Sequence, residues 1–233
     1  MPQFKRFAIY YAPEPGPLAS FGAHWLGWDM AAGRPAEHPE LVGMDVSAIT
    51  ATPRKYGFHG TIKPPFRLTD GKSLDDLDVA VARLCTENAA VHLRPLTLTR
   101  VGGFLALTVS GDTTQLSALA ATIVRDLDVF RAPLNDAELA RRRQHPLSPD
   151  QDRLLELWGY PYVMEEFRFH ITLTSKLPRA VAERTRKALE PLVEPLLSAP
   201  FVIKDLCLVG EDDLGRFHLI RRHPLLGQTG LIA

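Results

Sequence analysis

The sequence predicts an α+β fold in two pseudo-symmetric lobes, each an antiparallel sheet with helices outside, sharing a central cleft. Two observations carry that prediction. The tripeptides His59-Gly60-Thr61 and His170-Ile171-Thr172 lie about 110 residues apart, each inside an apolar run that reads as a β-strand. The same order of elements then follows each one: motif strand, helix, hairpin. A chain of 233 residues supports one substantial core, so residues 1–233 are expected to fold as a single two-lobed unit.

The elements follow in chain order. Phe4 to Tyr11 alternates as an opening strand should, and Pro13–Thr52 is rich in Gly, Pro and Ala, with a helix expected near Leu18–Trp28. The first motif leads through Lys63-Pro64-Pro65 into a helical pattern over Ser73–Asn88. A hairpin, Leu96–Val101 and Phe104–Val109, then turns on Gly102-Gly103. A helix over Thr114–Leu127 belongs to the first lobe. Asn135–Gln144 and Ser148–Leu157 read as two more helices, the latter with Ser at the N-cap and Pro at N1. The second motif leads into a helix over Arg179–Leu197, then a hairpin, Phe201–Val209 and Phe217–Arg221, around an acidic turn ending at Gly215. The long stretch from Arg131 to Gly159 is where a lid over the cleft would lie.

Composition excludes several classes. Lys+Arg and Asp+Glu balance at 27 each, which removes bulk attraction to nucleic acid or membranes and makes a long nucleic acid an unexpected partner. No apolar run spans a bilayer, and Met1–Tyr11 lacks the apolar core of a signal peptide. Cys85 and Cys207 are far apart, without metal-ligand spacing, and read as free core thiols of a cytoplasmic protein. A monomer is expected, with no cofactor.

Strand side chains alternate between faces. His59, Thr61 and Lys63 should therefore share one face, opposite Phe58, Gly60 and Ile62. Arg168, His170, Thr172 and Thr174 should share another, opposite Phe167, Phe169, Ile171 and Leu173. Each strand then offers an imidazole, a hydroxyl and a cation over a greasy back. Two such strands facing one cleft supply two acid/base groups and two hydroxyl donors, a set suited to phosphate chemistry.

The same residues carry a resemblance. Paired His-x-Thr strands in a two-lobed chain resemble the 2H phosphoesterase superfamily. The longer stretches Arg54-Lys55-Tyr56-Gly57-Phe58-His59-Gly60-Thr61-Ile62-Lys63-Pro64-Pro65-Phe66, Phe169-His170-Ile171-Thr172-Leu173 and Arg6-Phe7-Ala8-Ile9-Tyr10-Tyr11-Ala12-Pro13 are similar to its DUF1045 branch, whose members carry a phosphonate-metabolism label. The resemblance covers essentially the whole chain. It implies a metal-independent phosphodiesterase acting on a small phosphorylated substrate, with one of His59 and His170 as general base and the other as general acid. Thr61 and Thr172 would bind the non-bridging phosphoryl oxygens. Strand parity adds Lys63 and Arg168 as cationic contacts; Tyr56 and the opening-strand Tyr10 are further candidates to flank a sugar or base. The RNA-ligase-like branch usually has Arg three residues past the second Thr, where this chain has Ser175 followed by Lys176. A small cyclic ester of ribose or a nucleoside therefore fits better than a long RNA end, with phosphonate breakdown as the context the branch label implies.

Plainer readings stand beside these. A single His in an apolar strand is more often structural than catalytic; two in matched contexts reverse that balance. His24, His38, His92, His145, His218 and His223 lack the pattern and read as surface or packing residues, and Trp25, Trp28 and Trp158 as core. Lys55 and Lys63 read equally well as solvated strand ends. Arg141-Arg142-Arg143 reads as an exposed helix face, with a grip on a second phosphate as the alternative. A metal hydrolase would need a ligand cluster the spacing does not offer. A non-catalytic nucleotide- or RNA-phosphate-binding module is the more serious rival, and RNA-end processing within the same superfamily is another. There is no Gly-x-Ser-x-Gly elbow and no phosphate-binding P-loop.

Overall fold

The structure, a computed structural model, describes residues 3–228. The opening strand β1 (Arg6–Tyr11) is followed by α1 (Pro17–Leu26), a small hairpin of β2 (Trp28–Asp29) and β3 (Arg34–Pro35), and the single turn α2 (Val46–Ile49). Then come β4 (Gly60–Phe66), α3 (Leu74–Glu87), β5 (Val91–Leu93), β6 (Thr97–Val101), β7 (Phe104–Thr108) and α4 (Thr114–Asp126). The second half runs α5 (Asp136–Arg142), α6 (Pro149–Trp158), β8 (His170–Thr172), α7 (Arg179–Val193), β9 (Phe201–Ile203), β10 (Asp205–Glu211) and β11 (Phe217–Pro224).

The strands give an α+β fold with one seven-stranded sheet, ordered β11-β10-β1-β4-β8-β7-β6, whose neighbours all run antiparallel. This corrects the expectation of a separate sheet in each lobe. The hairpins also cross over: β10–β11, which follows the second motif in sequence, pairs beside β1 and β4, whereas β6–β7, which follows the first, pairs with β8. A hairpin leaves an edge of unpaired backbone groups, and any strand of suitable length can satisfy it. Which strand does so is a matter of packing rather than of order along the chain. The first strand of the final hairpin is broken as well: β9 leaves the main sheet to pair with β5.

Local chemistry explains the helices. Ser73, Asn135 and Ser148 cap α3, α5 and α6, each in a reciprocal capping box with the residue three places on. On α3, Leu77, Val81, Leu84 and Cys85 recur at helical spacing and are buried. They join Phe7, Ile9, Tyr11, Ile62, Leu107 and Ile171 in one core, so the main helices cover one face of the sheet. Burying a Leu or Ile fully contributes about 1.5–3 kcal/mol, and this face holds most of them. The other face carries a smaller cluster around Ala8, Tyr10, Trp28, Cys207 and Phe217. That thinner face leaves the middle strands partly open.

Candidate functional site

The two motif strands meet at the sheet's centre. β4 and β8 share the register pair Gly60↔Ile171. Continuing that antiparallel register by one residue sets Thr61 opposite His170 and His59 opposite Thr172. Each imidazole thus faces the other motif's threonine, and the two histidines take diagonal positions, about 7–8 Å apart in a regular sheet. Gly60 makes this approach possible, because a Cβ there would lie 2.2 Å from the Phe169 ring.

His59 is held on several sides. Its Nδ1 lies 3.0 Å from the Gly57 carbonyl oxygen, which can only accept, so Nδ1 carries the proton. Nε2 then accepts from the Thr61 hydroxyl at 3.0 Å. The ring stacks on Tyr10 at 3.6 Å between centroids, and Tyr56 meets it edge-on at 5.4 Å. Gly57 takes φ +72°, so the turn that aims its carbonyl at His59 favours glycine. Burial pulls the His59 imidazole down to about 4, against the Gly57 carbonyl, while His170 nearby pushes in the same direction as burial. His59 is neutral at neutral pH.

His170 is anchored by the same device. Its Nδ1 donates to the carbonyl of the residue two positions earlier, Arg168, at 2.8 Å. The ring is half-buried, with Phe104 tilted against it at 5.6 Å. Tyr56 is half-buried beside the pair. Burial raises its phenol to about 12, with Tyr160 acting in the same sense and Thr172 against it. Tyr10, buried further, is raised well above its ordinary value, and it too feels Tyr160.

Not every residue expected here arrives. Lys63 is turned away, because β4 carries extra residues against β1. Tyr10 pairs with Thr61 but Ile9 with Lys63, so the strand bulges and the alternation slips. Lys63 is 2% exposed. Its Nζ donates to the Val124 carbonyl near the end of α4 at 2.9 Å and lies 3.6 Å from Asp128. Arg168 precedes the three-residue β8, and its guanidinium donates to the Glu165 and Phe167 carbonyls. Its backbone, not its charge, serves His170. Tyr10 is 1% exposed with its face covered by His59, so it supports the imidazole rather than flanking a sugar. Thr174 accepts from the Leu105 amide, and Ser175 Oγ accepts from the Thr52 amide; both are structural ties.

Two residues were not among the candidates, Arg6 and Tyr160, and Arg142 was one only through the alternative of gripping a second phosphate. Arg6 lies on the Tyr10 side of β1 and forms a bidentate pair with Glu211. Arg142 lies over the Tyr160 ring at 4.5 Å. Alternation along Arg6-Ala8-Tyr10 was the only sequence signal for Arg6; none existed for Tyr160. Among the described residues, no three His, Cys, Asp or Glu side chains come together as a metal-ligand set, and no helix is long and apolar enough to cross a membrane.

Comparison with known proteins places the chain among relatives. It is 37% identical over 232 residues to the ribose 1,5-bisphosphate phosphokinase PhnN of Janthinobacterium sp. (strain Marseille), covering 96% of this chain and 51% of that protein. It is 35% identical over 176 residues to the PhnN of Laribacter hongkongensis (strain HLHK9), covering 74% and 40%. The chain thus spans about half the length, or less, of these curated relatives. A crystal structure of a phosphoesterase superposes with a TM-score of 0.45 at 12% identity, over 97% of this chain and all of that one. The model of the family described as "Protein of unknown function (DUF1045)" matches residues 61–218, from Thr61 of the first motif through the whole of the second, and the chain belongs to that family.

Proposed function

We propose that the protein is a metal-independent phosphodiesterase of the two-histidine type, hydrolysing a small cyclic phosphate ester of ribose or a nucleoside. The observation that carries this reading is the matched anchoring of His59 and His170. Each Nδ1 is bound to the carbonyl two residues back, which leaves each Nε2 for a phosphoryl group between the strands. His59, neutral and buried, is the general base: its Nε2 takes a proton from water as the water oxygen bonds to phosphorus. A bound phosphate's negative charge favours the resulting imidazolium, which raises His59 towards a working pKa. His170, protonated at Nε2 and more open to solvent, gives that proton to the ester oxygen as the P–O bond breaks. Thr61 and Thr172 donate to the non-bridging oxygens, where charge builds up. In the resting site the Thr61 hydroxyl rests on His59 Nε2, and it turns to phosphate when substrate arrives.

The relatives' names support a ribose phosphate as the substrate neighbourhood, in keeping with the phosphonate-metabolism label of the branch the sequence resembles. Their kinase chemistry fits this chain poorly. Gly71-Lys72-Ser73 is its nearest approach to a nucleotide-binding loop, but Phe66 stands where that loop needs its first glycine. Ser73 is spent capping α3, and Lys72 lies over Phe130.

The test is turnover of ribose cyclic phosphates and 2′,3′-cyclic nucleotides in excess chelator, comparing the wild type with His59→Ala and His170→Ala. Chelator-resistant turnover that falls at least about 10²-fold in each variant is expected. Turnover indifferent to both substitutions would sink the mechanism.

A further inference from the structure

A narrow cleft runs along the stretch of β4 that β8 leaves unpaired, with α5 and the end of α6 on its far side. It is strongly cationic. Most of its cations are already matched: Arg6 with Glu211, Lys63 and Arg131 with Asp128, Arg67 with Glu138. Arg141 and Arg142 are not, and of the two Arg141 is exposed whereas Arg142 is half-buried. The Arg142 guanidinium lies over Tyr160, its Nε is buried without a hydrogen-bond partner, and among the described residues it forms no ion pair. A desolvated cation left unpaired costs stability, so a chain that keeps one in a cleft holds an anion site. Arg143, next along the chain, faces out and is tied to Asp152 and Glu156. β1 and β4 join this cleft to the histidines: Arg6 lines it from the same face of β1 as Tyr10, which stacks on His59, and Lys63 to Arg67 continue the strand that carries Thr61.

We propose that Arg142, held over the Tyr160 ring, is a specificity-determining residue that binds a second, non-reacting phosphate of the substrate. This rests on the reading of the histidine pair as the phosphodiester centre, and it narrows the substrate to a cyclic ester that carries a further phosphate. The planar guanidinium offers two parallel N–H donors to phosphate oxygens, which an ammonium cannot match.

Two measurements test it. The first compares kcat/KM for a nucleoside 2′,3′-cyclic phosphate with and without a 5′-phosphate. The wild type should favour the doubly phosphorylated ester by about 10–10²-fold, the range of a charge-assisted bidentate contact. Arg142→Ala should bring the ratio near one, Arg142→Lys should restore part of it, and Arg143→Ala should leave it intact. A ratio that survives Arg142→Ala overturns the proposal. The second needs no turnover: calorimetric binding of ribose 5-phosphate to the wild type, to His59→Ala/His170→Ala and to Arg142→Ala. Binding retained without the histidines and lost without Arg142 supports the subsite even if the cyclic esters prove not to be substrates. Equal binding by all three, or by none, overturns it.

Discussion

The His59 side of the seam is closed and the His170 side is open. His59 is 7% exposed, stacked on Tyr10, met edge-on by Tyr56 and bonded at both ring nitrogens. His170 is half-buried on a strand of three residues, with one ring nitrogen bonded and one aromatic neighbour tilted against it. The two share an anchor, a carbonyl two residues back, and differ in everything around it. In the proposed mechanism, environment, not motif, is what would separate base from acid. A dry pocket disfavours the imidazolium and keeps a base neutral.

The largest expected effect would break that assignment outright. With a p-nitrophenyl phosphodiester, whose leaving phenolate needs no proton, His170→Ala should recover most of the activity it loses on an alkyl ester. His59→Ala should stay at least about 10²-fold down on both. The opposite pattern would exchange the roles, and equal loss on both esters would remove the distinction.

The next effect is on stability. His59 is pulled down to about 4 in the folded protein, below the ordinary 6.5 that it regains on unfolding. Between those values the unfolded chain binds the extra proton, so stability is full above about pH 6.5 and falls as pH drops towards 4. A shift of that size corresponds to about 3 kcal/mol of acid-side loss. Denaturant titrations from pH 7 to 4 should show a smaller loss in His59→Gln, and identical slopes in the two proteins would mean that His59 is not held neutral.

The smallest effect sharpens the comparison at the seam itself. Gly60 lets Phe169 lie across the strand pair that joins the two sides. Gly60→Ala should cost about 1–3 kcal/mol by overpacking. Phe169→Leu in the same chain should recover part of that loss, seen as non-additivity in a double-mutant cycle. Strict additivity would place the two residues out of contact.

Much of the molecule could be read along the chain. Local rules located the helices, because capping boxes and apolar spacing act within a few residues: Ser148 with Gln151 caps α6, and Leu77, Val81 and Leu84 face the core. Strand alternation also put Thr61 on the face of His59 and Thr172 alongside His170. It failed at Lys63, where a bulge breaks the two-residue period, and at Arg168, which lies before the strand starts. It had nothing to say about Tyr160, whose place depends on how the end of α6 packs.

What the sequence determined by itself was the pair of His-x-Thr strands, the helices that back them and the α+β class, since each depends on periodicity and capping over short spans. Tertiary structure decided the rest: one sheet instead of two, hairpins exchanged between the halves, Tyr10 laid against His59, Arg142 laid over Tyr160. These depend on which unpaired edges and exposed rings meet in space, and contacts between residues some hundred positions apart leave no local pattern in the chain. The same physics set the two histidines apart, because desolvation depends on everything that surrounds a side chain.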